Sequence, residues 1–268
     1  MVRQFYYDLY RNINQGQRKS SLKAKNFFTR VSYRLIKSKR KGSFHQNCLN
    51  LCLNQSKIMQ KSNFKEWTLD KIDDTFGLKQ IHNSSILAEL LAFEHQPDAY
   101  ETRYLSYLSQ NYATLGGDDW NEVELENKLI SPVIVFSDIA NEKYSYFLER
   151  ELTATIGDYE LTGRVDGMIA SGYRNPKVPY FCLNEYKRQT DPNGDPRGQA
   201  LIAMLVAQRL NDNKKPIFGS YVIGRDWFFM TLVNNEYAIS KDFSCVGAEI
   251  FDIYRILKGL KVQIGKLI

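Results

Sequence analysis

Between Gly116 and the C-terminus, helical and extended hydrophobic periods alternate in an order that few architectures accommodate. Residues 120–131 place Val123, Leu125, Leu129 and Ile130 at helical spacing, and Pro132, which has no amide proton, is expected to end that helix. Residues 145–156 and 160–170 read as strands joined by a turn at Gly157-Asp158, the pattern of a hairpin. Ser171 to Pro179, with Gly172 and Pro176, reads as a loop, and 180–187 as a third strand rich in apolar and aromatic side chains. Gly194-Asp195-Pro196 leads into an Ala/Leu-rich helix over 197–211. Strands at 217–223 and 227–233 follow. A last helix carries Val246, Ile250, Ile253, Leu257, Leu260 and Ile264 at steps of three and four. Helix, three strands, helix, two strands predicts an α/β fold: a mixed sheet with helices packed against it.

Upstream the pattern changes twice. From Trp67 to about Tyr112 it is helical, with Ile86, Leu87, Leu90, Leu91 and Phe93 as an apolar stripe behind the capping candidates Ser84 and Ser85. Gly116-Gly117-Asp118-Asp119 reads as a boundary. The predicted organisation is a basic N-terminal arm over 1–62, a helical region over 63–118 and a core over 119–268. Residues 1–41 hold twelve Lys or Arg against one acid, Asp8, for a charge of +11. The remaining 24 basic and 29 acidic residues leave the body at −5. A basic arm on a mildly acidic body points to a polyanion, nucleic acid more than membrane, with Arg18, Lys19, Lys37, Lys39, Arg40 and Lys41 as the candidate contacts. A solvated tail without a specific partner is the alternative.

No run approaches the roughly 18 apolar residues of a membrane span. The basic N-terminus has no apolar stretch behind it, so no secretory signal is expected, and no clear amphipathic period marks a transit peptide. Four cysteines (Cys48, Cys52, Cys182 and Cys245) are too few for a disulfide scaffold, and a reducing cytoplasm is the expected compartment. His45, Cys48 and Cys52 lie close together, but no second Cys/His pair completes a zinc site, so they read as small thiols among leucines.

The chemistry concentrates on the third strand. In Phe181-Cys182-Leu183-Asn184-Glu185-Tyr186-Lys187, alternation projects Glu185 and Lys187 to one face. Asp166 stands near the end of the preceding strand, in Gly163-Arg164-Val165-Asp166-Gly167. If the two strands pair, two carboxylates and an ammonium share one patch. Such carboxylates repel unless a cation joins them, and hard oxygen ligands suit Mg²⁺, with Mn²⁺ as a substitute. A lysine beside the metal can orient a water, a set suited to phosphodiester hydrolysis. Each pair alone is weak: Glu-x-Lys is common on solvated strands, and an Asp before Gly can serve a turn.

The order Asp, loop, Glu-x-Lys on the next strand resembles the PD-(D/E)XK nuclease superfamily. That resemblance implies a restriction-endonuclease-like fold, with Asp166 and Glu185 as metal ligands and Lys187 assisting the water. It implies an active-site role for Gln199, at the start of the following helix. Asn121-Glu122 through Leu129-Ile130-Ser131-Pro132 is similar to a helix in the nuclease domain of type I restriction motor subunits, which makes Glu122 the third metal-binding acid and Glu126, one turn on, its substitute. The likeness covers roughly 119–233. Val165 stands where the name of the superfamily has proline. Ala203, four residues beyond Gln199, departs from the Gln-x-x-x-Tyr of RecB-like exonucleases, and the cysteines do not match their iron–sulfur members.

The expected function is therefore metal-dependent cleavage of nucleic acid, DNA in preference to RNA. The alternatives are a non-catalytic nucleic-acid-binding protein on the same fold, and an assembly subunit whose arm meets an acidic protein. Self-association is left open. Trp227-Phe228-Phe229 reads as core before it reads as a base-stacking platform. Arg188, Arg197 and Arg225, near the catalytic strand ends, are phosphate-contact candidates or plain surface charges.

Overall fold

The computed structural model describes residues 59–190 and 194–268. One mixed sheet of nine strands runs through it: β1 (Gln60–Asn63), β2 (Lys79–Gln80), β3 (Tyr144–Ile156), β4 (Tyr159–Ser171), β5 (Lys177–Lys187), β6 (Ile217–Ile223), β7 (Asp226–Val233), β8 (Glu236–Ile239) and β9 (Phe243–Ser244). The strand order is β1-β4-β5-β6-β7-β8-β2, with β3 on β4 and β9 on β7. Helices α1 (Leu69–Phe76), α2 (Ser85–Leu91), α3 (Ala99–Thr114), α4 (Glu122–Leu125), α5 (Ser131–Phe136), α6 (Pro196–Asn211) and α7 (Glu249–Leu267) flank it. None of the described helices is long and apolar enough to cross a membrane.

Each sheet face has its own core. Ile169, Tyr186, Phe218, Val222, Trp227 and Phe229 pack against α2, α3, α4, α5 and α7. Leu161, Val165, Met168, Leu183, Tyr221 and Met230 pack against α1 and α6. Helix α6 is buried nearly all round from Gly198 to Ala207, which explains an Ala/Leu-rich composition with little polar face. It bridges β5 and β6, which pair in parallel from Cys182↔Phe218 to Lys187↔Ile223; parallel neighbours need such a crossover.

Strands β3 to β7, α6 and α7 lie where the hydrophobic pattern puts them. Helix α7 begins at Glu249, so Val246 precedes it. Strand β5 begins at Lys177, shortening the expected 171–179 loop. The helix expected to stop at Pro132 does not. A π-helical turn over Glu126–Ile130 joins α4 to α5, and the Ser131 amide bonds the Glu126 carbonyl, five residues back. Pro132 then falls in the first turn of α5, where its missing N–H costs little. The 63–118 region is not purely helical: β2 pairs with β8, and α2 and α3 supply Leu87, Leu90, Leu105 and Leu108 to the first core. Residues 60–62, assigned to the arm from charge, belong to the sheet through β1, which pairs in parallel with β4.

Strand β4 has three partners, and their arrangement opens the sheet at one place. Strand β3 covers one edge of β4 throughout. On the other edge, β1 pairs with Tyr159 to Thr162 and β5 with Gly167 to Ser171. Gly163 to Asp166 lie between them. The ring of Phe64 fills the Gly163 end of this gap so closely that a Cβ there would sit 2.3 Å from the ring. Asp166 stands at the other end.

Candidate active site

The pairing of β4 with β5 ends at Gly167↔Asn184, yet β5 continues beside β6 as far as Lys187. The two strands part like a fork, and Asp166, Glu185 and Lys187 occupy it. At the fork the Tyr186 amide donates to Asp166 Oδ2 at 2.6 Å, a side-chain oxygen serving a strand amide. Glu185 and Lys187 alternate with Tyr186 and so share the face of Leu183 and the α6 core. Both are buried, and Lys187 Nζ lies 2.6 Å from Glu185 Oε1 and 3.1 Å from the Tyr186 carbonyl.

Glu122 reaches the fork from α4. Its Oε1 is 3.7 Å from Lys187 Nζ, while its side chain stays half exposed. Asn121 holds it there by capping α4 in a reciprocal box with Glu124. Glu126, in the π turn, is half-buried. Burial first, then the charges of Asp166 and Glu149, hold its carboxyl above the ordinary range. Glu122, the expected third acid, thus stands against the lysine and adds its charge at Asp166 and Glu185, while Glu126, its substitute, feels the charge of Asp166. Gln199 is buried at the start of α6 with its amide against Gly194, where a Cβ would meet Nε2 at 2.9 Å. The structure gives it a place against that loop rather than a bond to the carboxylates.

The charges do not balance. Burial raises Asp166 to about 6 against the Tyr186 amide and Lys187, which lower it, with Glu149 and Glu122 adding to the rise. Burial and then the Asp166 charge raise Glu185 to about 7, with Lys187 opposing. The two behave as a pair in which ionising one holds the proton on the other. Burial alone would favour a neutral Lys187, but Glu185, Asp166 and Glu122 outweigh it and raise its pKa. A site of this kind, with hard carboxylate oxygens in excess over one ammonium, has the donor chemistry of a Mg²⁺ ligand set. As the side chains stand, no three His, Cys, Asp or Glu residues among the described ones are gathered in metal-ligating geometry; Lys187 supplies the counter-charge to Glu185 instead.

Three features next to the fork escape a reading by motif. Glu149 takes a left-handed backbone (φ 52°) between Leu148↔Gly167 and Arg150↔Val165. At that point the alternation of both strands reverses: Phe147 and Met168 share a core with Leu152 and Val165, although strict alternation would separate them. The sequence signal is the run Leu148-Glu149-Arg150-Glu151-Leu152, three charges that no regular half-buried strand would carry. On the opposite face, the Tyr146 and Tyr186 hydroxyls are 2.9 Å apart, and burial raises both phenols well above their usual value. Gly167 makes room for them, because a Cβ would lie 2.6 Å from the Tyr186 hydroxyl. The third feature is Arg150, half-buried on β3 directly after the left-handed residue.

The remaining expectations sort by burial. Trp227 and Phe229 are core, and Phe228 stacks on Tyr221 at 4.4 Å, so this run is packing. Arg197 is paired with Asp195 at 3.2 Å and Arg225 with Asp118, whose other oxygen accepts from Tyr112. Cys182 and Cys245 are buried free thiols that burial pushes up to about 12, inert as nucleophiles. Arg18, Lys19, Lys37, Lys39, Arg40, Lys41, His45, Cys48 and Cys52 lie outside the described residues. No protein-family model matches the chain, and neither does any curated protein.

Proposed function

We propose that this chain is a metal-dependent nuclease, of restriction-endonuclease-like architecture, that hydrolyses phosphodiester bonds in DNA. The observation that carries the reading is the fork itself: Asp166 fixed by the Tyr186 amide, Glu185 and Lys187 bonded at 2.6 Å on the next strand, and Glu122 closing on the lysine. Asp166, Glu185 and Glu122 would hold Mg²⁺ or Mn²⁺, which when bound polarises the phosphodiester and makes a coordinated water more acidic. Lys187 holds and orients the attacking water and offsets charge developing on the phosphate. The Tyr186 amide keeps Asp166 aimed into the fork, and the half-exposed Glu122 leaves the site open to a large substrate.

A non-catalytic nucleic-acid-binding protein on the same fold is the second reading. It is favoured by the Lys187–Glu185 pair, which neutralises part of the fork from within. The deciding experiment incubates the purified protein with single- and double-stranded DNA and RNA in Mg²⁺, Mn²⁺ or EDTA. Metal-dependent cleavage that disappears in Lys187→Ala supports the nuclease. Salt-sensitive binding without cleavage supports the second reading.

A further inference from the structure

We infer that Arg150 is a phosphate-binding residue of this site, gripping a backbone phosphate beside the one attacked; the inference deepens the nuclease reading and rests on it for the nature of the ligand. Arg150 is half-buried on β3, opposite Val165, the residue before Asp166. It shares a face with Leu152 and Ala154, and its guanidinium lies 5.9 Å from the centre of the Phe147 ring. Glu185 lies on this same face, with Leu183 in the same core. Arg150 and Glu185 stand on β3 and β5, with β4 and its Asp166 between them.

Among the described residues Arg150 has no ion-pair partner, and strand geometry accounts for the two acids nearest to it in sequence. Its two neighbours in sequence are acids, yet both turn to the other face and engage Arg164, Glu149 at 3.4 Å and Glu151 at 3.8 Å. Strand alternation separates these acids from Arg150, and the left-handed residue at Glu149 sets Arg150 on the face of Phe147. Among the described residues no carboxylate reaches Arg150, and its Nε is buried without a hydrogen-bond partner. Other arginines withdrawn from solvent differ: Arg225 is paired with Asp118 and Arg255 with Asp252. A guanidinium held on an aromatic ring, partly stripped of water and short of an acceptor, is suited to a bidentate anion such as a phosphodiester.

The test measures a fluorescein-labelled 12-mer, single- and double-stranded DNA, bound in EDTA across a salt series, and kcat and KM in Mg²⁺. R150Q and R150K are compared with the wild-type chain. R150Q should bind about ten- to a hundredfold more weakly, with a salt slope flatter by about one, and KM should rise more than kcat falls. R150K, which keeps the charge but loses the fork of donors, should fall between. If R150Q does not fold, R150K decides alone: at least threefold weaker binding supports the inference, and unchanged binding overturns it. Cleavage by the wild-type chain with unchanged R150Q binding and kinetics overturns the inference and leaves the nuclease reading standing. Weaker R150Q binding without wild-type cleavage does the reverse. Absence of wild-type binding to either DNA overturns both.

Discussion

The amide of Tyr186 holds Oδ2 of Asp166 at 2.6 Å, so a carboxylate takes a strand's hydrogen bond where β4 and β5 part. One bond thereby ends the pairing and aims the acid. It commits one oxygen to the backbone and leaves Oδ1 for a ligand. The amide lowers the Asp166 pKa, but burial outweighs it, and the fork remains a place of excess negative charge.

Asp166→Asn separates charge from geometry. An asparagine oxygen still accepts from Tyr186, but the repulsion with Glu185 is gone. Both carboxyls bind protons more tightly in the folded chain than in the unfolded one, where they titrate near 4. Stability from this source is therefore full below about 4 and is lost as pH rises through 6 to 7. The variant should lose cleavage yet melt about 2–4 °C higher than wild type at pH 8, corresponding to about 1 kcal/mol, with no gain at pH 4. Thermal melts at the two pH values check the sign, and an equal gain at both would remove the charge explanation.

Three glutamates on helices should differ in order. Glu122→Gln is expected to raise the Mg²⁺ concentration for half-maximal rate about tenfold, since this carboxylate reaches Lys187. Glu126→Gln should do less, because it acts on Asp166 through charge. Glu89→Gln should leave turnover within about twofold, because Glu89 is bound to Lys266 at 2.6 Å between α2 and α7. Metal titrations of cleavage rate rank them, and an effect of Glu89 equal to that of Glu122 would refute the placement.

Gly167→Ala should cost about 1–3 kcal/mol in chemical denaturation, because the new methyl meets the Tyr186 hydroxyl and the Tyr146 ring end. Tyr186→Phe removes the closer of these atoms. The double variant should be less destabilised than the two single effects summed, a coupling expected only for groups in contact. Strict additivity would mean that Gly167 is needed for its backbone alone.

The sequence was most readable where structure follows local period. Alternation along β5 put Glu185 and Lys187 on one face, and the spacing of apolar residues located β3 to β7, α6 and α7. It was least readable where partners are distant. The two residues of β2 are exposed and carry no hydrophobic pattern; only β8 makes them a strand. Pro132 breaks a helix by local rule, but a π turn resolves the conflict. The run Leu148-Glu149-Arg150-Glu151-Leu152 shows three charges within a strand, but which face each takes follows from the left-handed residue at Glu149, which local alternation does not foretell. The carboxylates of the fork were recoverable by motif, whereas the charge imbalance around them required the burial of β5.

Deletion of residues 1–41 should weaken nucleic-acid binding and spare the chemistry. The segment lies outside the described residues and holds twelve of the 36 basic side chains. A chain starting near Gly42 keeps β1, so its pairing with Tyr159 to Thr162 remains and the sheet should fold. Every cation withdrawn from a phosphate lowers the salt slope on duplex DNA by about 0.9. With half the cations engaged, affinity should fall on the order of a thousandfold at moderate salt, with a flatter salt dependence. At saturating substrate the rate should stay near that of the full chain, since Asp166, Glu185, Lys187 and Glu122 are all retained. Binding isotherms at several salt concentrations and single-turnover rates separate the outcomes. Unchanged binding would assign the arm to a protein partner or to none, and loss of the folded state would mean that it packs into the body.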